Sequence, residues 1–448
     1  MEVVYARCCG LDVHKKMVVA CLILLDSLGQ RSKEIRTFRT TTQELLLLRD
    51  WLVLAGCTHV AMEATGVYWK PIYNVLDGAV ELLVVNARHI KAVPGRKTDV
   101  RDAEWIADLL QHGLLTSSFI PPAAQRELRE LTRYRTNLVE ERARAVNRLQ
   151  KTLEDTNLKL GDVATDILGK SARAMLEALL AGQTDPAVLA NLARGRLKAK
   201  RAQLEEALVG TLKPHHRFML TEHLALIDTL DEAITRASQE IEARMGPPDP
   251  GTQAPGNAAE EVPLGEAVAE EEQQEQKEKP PLHWDEAVRV LDSIPGINAR
   301  AAQGILAEIG TDMRRFPSAR HLASWAAMCP GNHESGGKRL SGKTRKGSPW
   351  LRKLLVEAAH AAAHTKNTYL SALYRRIASR RGAKIAMIAV GHAILVMIYH
   401  MLSEHVSYTE LGGNYFDEHD RQATEKRLVR RLEKLGYHVE LQEAAQVA

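Results

Sequence analysis

The first 115 residues constrain the fold of this chain more than any other segment, because short apolar runs alternate there with amphipathic ones. Apolar runs of strand length bounded by turn residues predict β-strands, and a repeat of three to four residues predicts helices. Strands are predicted at 3–13, 17–25, 33–38, 59–64 and 80–86, and helices at 42–56 and 67–76. This order predicts an α/β domain with a mixed sheet over residues 1–122.

Two carboxylates stand at the ends of predicted strands in this domain. Asp12 ends the first strand, and Glu63 ends the run "HVAME". An apolar strand is a costly place for a carboxylate without a partner. A second pair, Asp99 and Asp102, begins the next predicted helix three residues apart, so that both side chains share one helical face. Helix capping is the simpler interpretation of that pair taken alone.

The four carboxylates together suit a divalent cation. Neighbouring carboxylates repel unless positive charge lies between them, and nucleases that use Mg²⁺ gather acids from distant points in the sequence. In an RNase H-like sheet, one acid lies on the central first strand and another ends a later strand, as Asp12 and Glu63 do. The sequence therefore predicts a Mg²⁺ site that comprises Asp12, Glu63, Asp99 and Asp102.

Residues 123–245 predict a charged helical arm, which Pro214 is expected to interrupt. Six apolar residues follow the three-four spacing of a coiled coil or a long helical hairpin: Leu220, Leu224, Ile227, Ile234, Ile241 and Met245. The earlier part of the arm is amphipathic, but charged residues break its heptads. A simple antiparallel bundle, a dimerisation arm and an arm that grips RNA all fit this pattern.

Residues 246–282 contain almost no large apolar side chains and many Pro, Gly, Glu and Gln. Such a segment cannot bury enough surface to offset the entropy of ordering, which predicts a disordered acidic linker. Because acids are concentrated there, the rest of the chain is more basic than the formal net charge of +4 indicates. A polyanionic partner is therefore expected.

Residues 283–405 predict an all-α domain, followed by a tail at 406–448. The stretch "SIPGINARAAQGILAEIG" is typical of a helix-hairpin-helix, whose turn N–H groups approach phosphates, although an ordinary helix-loop-helix looks similar. The glycine-rich stretch 329–355 sets seven cations against the single acid Glu334. These cations are Lys338, Arg339, Lys343, Arg345, Lys346, Arg352 and Lys353. Their density predicts contact with nucleic-acid phosphates.

The five cysteines form no C-x-x-C pair, which indicates a reducing, cytosolic setting. The N-terminus has no export signal pattern. The apolar run 384–402 is barely long enough to span a bilayer and carries His392 and His400, so a buried helix is predicted and no membrane partner is expected.

Several separated motifs, in order, resemble the DEDD transposases of the IS110 family of bacterial insertion sequences. They are "GLDVHK", "MEATGVYWKPIYNVL", "KTDVRDAEWIADLLQHGLL", "SIPGI", "HLASWAAMCPGNHESGGKR" and "YTELGGNYFDEHDRQATEKRLVRRLEKLGYHVEL". The resemblance runs from about residue 5 to the end, except for the linker and parts of the arm. The arm and the tail are most similar to the subgroup named after IS1111.

The resemblance implies a RuvC-like catalytic domain followed by a transposase domain that supplies a serine nucleophile. Asp12, Glu63, Asp99 and Asp102 fall on the metal-binding acids, and Ser335 falls on the serine of the Ser-Gly motif. It also implies a bacterial cytoplasmic protein that acts on DNA, takes a noncoding bridge RNA from its own element as a guide, and forms a dimer or tetramer. The segment 246–282 departs from the family pattern.

A serine hydroxyl is a weak nucleophile, so cations or a metal must stabilise the charge that a phosphodiester gains when it is attacked. Lys338 and Arg339 are expected to clamp the scissile phosphate. Ser341 and Ser348 are competing candidates for the nucleophile, and a Ser-Gly loop without a catalytic role is the structural alternative.

Two other functions fit the same residues. One is a RuvC-like nuclease or junction resolvase that hydrolyses DNA without a covalent intermediate. An exonuclease is disfavoured, because His14 stands where Asp-x-Glu would place its second acid. The other is a non-enzymatic DNA-binding protein, whose binding would be salt-sensitive and indifferent to Mg²⁺.

Overall fold

The computed structural model describes residues 3–26, 29–64, 66–86, 102–246, 279–331, 333–335, 338–341, 344–345, 347–419 and 421–440. Asp99, Lys343, Lys346 and most of the predicted acidic linker lie outside these residues. The chain divides into two compact units, Met1–Pro122 and Ala123–Ala448.

The first unit contains a five-stranded mixed sheet in the order β3-β2-β1-β4-β5. Its strands are β1 (Arg7–Val13), β2 (Met17–Leu25), β3 (Arg31–Arg39), β4 (His59–Glu63) and β5 (Glu81–Val85). The first three strands pair antiparallel, whereas β4 pairs parallel to both β1 and β5. The predicted mixed α/β sheet is therefore confirmed, with β1 at its centre.

Helices cover both faces of this sheet. Helices α1 (Thr42–Leu54) and α2 (Trp69–Leu76) pack on one face, where alternate β1 residues such as Cys9 and Leu11 are buried. Helix α3 (Asp102–Gln111) packs on the other face, over Cys8. The alternation follows from the period of two in a strand, which sends successive side chains to opposite faces.

Gly10 sets the distance between α3 and β1. A Cβ atom at Gly10 would lie 2.3 Å from the carbonyl oxygen of Ala103 and 2.4 Å from the amide nitrogen of Ala107. These contacts are with helix backbone, which cannot rotate away as a side chain can. Only glycine therefore allows the helix to lie this close to the central strand.

The second unit begins with a long helical hairpin. Helix α4 (Ala123–Asp155) runs antiparallel to α9 (Pro214–Met245), as ion pairs from Glu127 to Arg244 and from Arg142 to Asp231 show. All six predicted seam residues of α9 are buried. Pro214 begins α9 and does not interrupt a helix, because the first helical position needs no N–H donor.

Shorter helices between α4 and α9 share a core with this hairpin, and the coiled-coil form of the arm is not confirmed. They are α5 (Leu160–Val163), α6 (Lys170–Leu180), α7 (Pro186–Ala190) and α8 (Arg201–Ala207), with a 3-10 turn at Gly195–Lys200.

The rest of the second unit is helical around a two-stranded hairpin. Its helices are α10 (Trp284–Asp292), α11 (Ala299–Ile309), α12 (Ala319–Trp325), α13 (Pro349–His364), α14 (Tyr369–Arg381), α15 (Ala383–Glu404), α16 (Tyr415–His419) and α17 (Arg421–Glu433). Strands β6 (His333–Ser335) and β7 (Lys338–Ser341) form the hairpin. Among the described helices only α15 is long and apolar enough to cross a membrane. Its residues Val390, Ile394 and Ile398 are fully buried in the core, as predicted for this run.

The helices that flank the predicted linker pack at one place. Ile241 and Met245, at the end of α9, form a buried cluster with Leu128, and Trp284 at the start of α10 packs against it. The residues on both sides of the linker therefore belong to the same compact unit.

Candidate functional site

Two of the predicted metal ligands lie side by side at the carboxyl ends of two neighbouring strands, β1 and β4. Strands β1 and β4 are parallel neighbours with Leu11 opposite Met62, so Asp12 and Glu63 are the next residues on the two strands. Ala61 faces the core under α3, and Glu63, two residues on, points to the same face. Asp12 shares that face by the same rule, because it lies two residues after Gly10.

Helix α3 brings a third predicted ligand to this face. Asp102 is the first residue of α3, and its Oδ1 atom is buried. The amino end of a helix favours negative charge, which stabilises a carboxylate there. Because α3 packs directly over Gly10, the three acids lie on the same side of the central strands. Asp99, the fourth predicted ligand, is outside the described residues.

His14 contacts one of these acids and was not predicted as a site residue. Its Nε2 atom lies 3.0 Å from Asp12 Oδ2, and the Asp12 side chain is 27% exposed. His14 follows the end of β1 and lies two residues after Asp12, and this spacing was the signal that the sequence offered. This contact restricts the rotation of the Asp12 carboxylate.

In the part of the chain that the structure describes, no three His, Cys, Asp or Glu side chains come close enough to hold a metal ion. The chemistry of Asp12, Glu63 and Asp102 nevertheless fits Mg²⁺, because carboxylate oxygens are the donors that this hard cation prefers. The four-acid metal site stays a prediction, supported by the placement of three of its members.

Ser335 is the last residue of β6 and pairs with Lys338, the first residue of β7. An isolated bridge between Pro330 and Thr344 extends the pairing of this loop. The backbone of Ser335 is therefore paired with the backbone of a lysine on the facing strand.

Ser348 has a structural role. Its Oγ atom accepts a hydrogen bond from Leu351 N at 3.3 Å, capping α13, and donates one to Glu308 Oε2 at 3.1 Å. A hydroxyl that both donates and accepts a hydrogen bond within the fold is poorly placed to act as a nucleophile. Ser341 ends β7 in the same hairpin as Ser335.

Three of the seven predicted phosphate-binding cations, Arg345, Arg352 and Lys353, have side chains that the structure describes, and their surroundings differ. Lys353 donates to Glu140 Oε1 on α4 at 2.5 Å, a contact that lowers the pKa of Glu140. Arg352 donates to Thr344 Oγ1 at 2.5 Å. The exposed Arg345 donates to the Ser324 hydroxyl at 2.8 Å. Charge density along the sequence could not separate the cations with internal partners from the others.

Glu308 is a buried carboxylate that the sequence analysis did not single out. Arg133 on α4 donates to its two oxygens at 2.7 and 3.0 Å, in addition to the Ser348 contact. Arg129 donates to the main-chain oxygen of Glu308 at 2.7 Å. The glutamate thus connects α4, α11 and the start of α13, which follows the serine hairpin. The signal was an acid within the apolar run "GILAEIG".

The helix-hairpin-helix prediction is not confirmed. The turn between α10 and α11 contains Gly296, whose φ of +93° favours glycine. A Cβ atom there would lie 2.3 Å from Ala358 O and 2.7 Å from Ala362 N, both on α13. The glycine therefore permits close packing of the turn against a helix of the same unit.

The cysteines are free, as expected from their spacing. Burial raises the pKa of Cys8 and of Cys57 to about 12. These thiols stay protonated near neutral pH and behave as small apolar side chains.

Two family profiles match separate segments of the chain. A profile of IS110-type DEDD proteins, described as "Transposase", matches residues 9–158. A second, described as "Transposase IS116/IS110/IS902 family", matches residues 288–375.

Several curated proteins are similar over most of their length. A probable family 20 transposase from Pseudomonas aeruginosa is 24% identical over 78% of this chain and 85% of its own. The transposase for insertion sequence element IS1111A from Coxiella burnetii is 25% identical over 89% of this chain and 90% of its own. An uncharacterized 42 kDa protein of insertion element IS900 from Mycobacterium paratuberculosis is 24% identical over 87% and 94%.

Proposed function

Because the chain belongs to the IS110 family of transposases, we propose that it excises and inserts its own insertion sequence through a covalent serine–DNA intermediate. The observation that carries this proposal is the adjacency of Asp12 and Glu63 at one edge of a mixed sheet, with Asp102 starting the helix on the same face. The same chain presents Ser335 in a hairpin beside a lysine.

The acids of the first unit would serve metal binding. Asp12, Glu63 and Asp102, together with Asp99, would hold Mg²⁺, which when bound stabilises negative charge on a phosphodiester undergoing attack. His14 orients the Asp12 carboxylate through their 3.0 Å contact. The close contact between α3 and Gly10 holds Asp102 on the same face of the sheet as Asp12 and Glu63.

Ser335 would form the covalent bond to DNA. As its Oγ atom attacks phosphorus, the hydroxyl proton leaves, the new P–O bond forms and the bond to one sugar oxygen breaks, so that this oxygen takes up a proton. Attack by a sugar hydroxyl of a second strand reverses these steps and frees the serine. Because each phosphodiester is exchanged for another, the sequence of steps needs no external energy source. Lys338, across the hairpin from Ser335, would stabilise the phosphate charge.

We further propose that a noncoding bridge RNA guides the choice of DNA and that the active assembly contains two or four copies of the chain. Support for both comes from the resemblance to the IS110 family. The cations of the serine hairpin and of α13 offer contacts for either nucleic acid.

Replacing Ser335 by Ala tests the central claim. We expect the Ser335→Ala protein to bind a plasmid carrying the gene and its flanking DNA as wild type does, but to form no protein–DNA adduct that survives denaturation. Ser341→Ala and Ser348→Ala are matched controls that should keep the adduct. An adduct that persists in Ser335→Ala would overturn the assignment.

Hydrolysis of DNA by the sheet acids alone is the second candidate function. It is favoured by the position of Asp12 and Glu63, which would serve a nuclease equally well. A hydrolytic enzyme would cut DNA in the presence of Mg²⁺ with no trapped adduct, and Ser335→Ala would cut at the wild-type rate.

A further inference from the structure

A basic cleft lies in the second unit, away from the serine hairpin in the sequence. Helix α14 carries four arginines and no acid: Arg375, Arg376, Arg380 and Arg381. The first three, with Ser379, line a cleft of about 290 Å³, and Gly413, Phe416 and Asp417 line its other side. The matched family profile ends at residue 375, so most of the residues that line the cleft lie beyond it.

The far wall of the cleft is held firmly against α14. Glu410 Oε1 accepts hydrogen bonds from Tyr369 N at 2.7 Å and from Gly412 N at 2.8 Å, which ties the tail to the start of α14. A Cβ atom at Gly413 would lie 3.1 Å from Asn367 Cα, so the two backbones are in close contact. The cleft is therefore formed before any ligand arrives.

Aromatic packing fixes one of its arginines. The guanidinium of Arg376 lies over the ring of Phe416, 4.9 Å from the centroid, and Tyr369 stacks on the same ring at 5.3 Å. Tyr415 packs edge-on against both rings. A cation–π contact holds the plane of a guanidinium in one orientation. Less side-chain entropy is lost when such an arginine binds an anion.

A second arginine is also oriented. Arg375 Nη2 donates to Ser371 Oγ on the same helix at 3.0 Å, which directs the side chain along α14. Arg380, one turn beyond Arg376, is exposed. Residues four apart on a helix are separated by about 6 Å along its axis, so Arg376 and Arg380 follow one another along α14.

The described residues that line the cleft carry more positive than negative charge. Three of them are the arginines of α14, and Asp417 is the acid among them. Glu418 follows Asp417 on the same short helix α16. Guanidinium groups that line one cleft fit the phosphates of a polynucleotide strand, because each guanidinium can donate two parallel hydrogen bonds to one phosphate.

We propose that the α14 cleft binds the sugar-phosphate backbone of a nucleic acid. The inference rests on the proposed function only in assuming that the protein works on nucleic acid, and it is independent of the roles of Ser335 and the four acids. The contact is to phosphate and carries no base specificity. Its source, DNA or RNA, is decided by the test below.

The test is a triple substitution, Arg375→Gln, Arg376→Gln and Arg380→Gln, in the full chain. Glutamine keeps the helix propensity of arginine and removes the charge. We expect affinity for a mixed-sequence DNA duplex or for an RNA of the same length to fall about tenfold or more, and the slope of log K against log salt to fall by about 3, since each lost phosphate contact removes about 1. A larger loss for RNA assigns the cleft to RNA, and a larger loss for DNA assigns it to DNA.

The control removes the same charge elsewhere. Arg144, Arg201 and Arg236 are exposed on other helices and each contacts a glutamate four residues away. Their triple replacement by Gln should leave affinity and salt slope unchanged, and circular dichroism should show both variants folded. A cleft variant that binds with the wild-type affinity and slope overturns the proposal. A wild-type protein that binds neither nucleic acid refutes the proposed function as well, which distinguishes the two failures.

Phe416→Leu provides an independent readout. Leucine keeps apolar packing against Tyr369 but removes the ring under Arg376, so nucleic-acid affinity should fall a few-fold with the salt slope retained. Wild-type affinity in this variant would contradict the role of the ring in orienting Arg376.

Discussion

At the residue scale, Glu308 shows how one buried carboxylate joins distant segments. Only 3% of its side chain is exposed, and it receives hydrogen bonds from Arg133 and Ser348, which are 175 and 40 residues away. A buried carboxylate is tolerated only when such partners satisfy it. The same network lies beside the ring of Trp350, over which the Arg133 guanidinium sits at 5.6 Å.

Removing Glu308 should therefore destabilise the second unit. We expect Glu308→Ala to cost on the order of 3 kcal/mol, because Arg133 would be left half-buried beside an unfilled space. Glu308→Gln, which keeps the shape and can still accept hydrogen bonds, should cost less. Thermal unfolding of the full chain measures both. If Glu308→Ala unfolds at the wild-type temperature, the network contributes no stability.

His14 is the residue-scale counterpart in the first unit. Its contact with Asp12 joins a side chain of β1 to one just beyond the end of that strand. A partner of this kind orients a metal-binding carboxylate without itself touching the reacting atoms.

At the element scale, the contact between α3 and β1 decides where Asp102 lies. The helix backbone passes so close to Gly10 that a methyl group at this position would overlap it. The packing distance between β1 and α3 is therefore set by the absence of a side chain at Gly10.

Gly10→Ala should push α3 away from the sheet. We expect a loss of stability of about 1–3 kcal/mol, typical of overpacking, together with a loss of strand exchange because Asp102 would move with the helix. Thermal unfolding and recombination of a plasmid substrate measure the two effects. Gly161→Ala is the control, since a Cβ there would meet its nearest neighbour, Ile167, at an ordinary 3.8 Å. Wild-type stability and activity in Gly10→Ala would contradict this account.

The helical hairpin shows the same principle on a larger element. The seam residues of α9 are buried as their spacing predicts. Their partner is α4 of the same chain, with smaller helices closing the core. The spacing predicted that one face of α9 is buried, and the tertiary structure shows that α4 and the smaller helices cover that face.

At the scale of the whole molecule, the proposed reaction needs both compact units. Asp12 lies in the first unit and Ser335 in the second. A serine adduct that depends on the sheet acids would show that the units act together in one reaction.

We expect Asp12→Asn to reduce adduct formation at Ser335 at least a hundredfold without weakening DNA binding, and chelation of Mg²⁺ to do the same in the wild-type protein. Glu104→Gln is the matched control, because this acid lies on α3 and pairs with Lys33 at 3.1 Å but is not a predicted ligand. Wild-type adduct yield in Asp12→Asn would show that the serine reacts independently of the acids.

The amino-acid sequence alone determined the strands and helices of the first unit, the buried seam of α9 and the resemblance to IS110 transposases. Those features depend on residues a few positions apart, so the periodicity and the turn residues of a short segment are enough to predict them. Asp12 and Glu63 could be singled out for the same reason, as polar residues that end apolar runs.

Tertiary structure alone decided which groups meet. Gly296 packs against α13, Ser348 caps a helix and binds Glu308, and Lys353 pairs with Glu140. The α14 cleft likewise exists only because the tail folds back onto that helix. Each of these contacts joins residues tens to hundreds of positions apart, and a sequence pattern records the side chain but not the partner that packing brings to it.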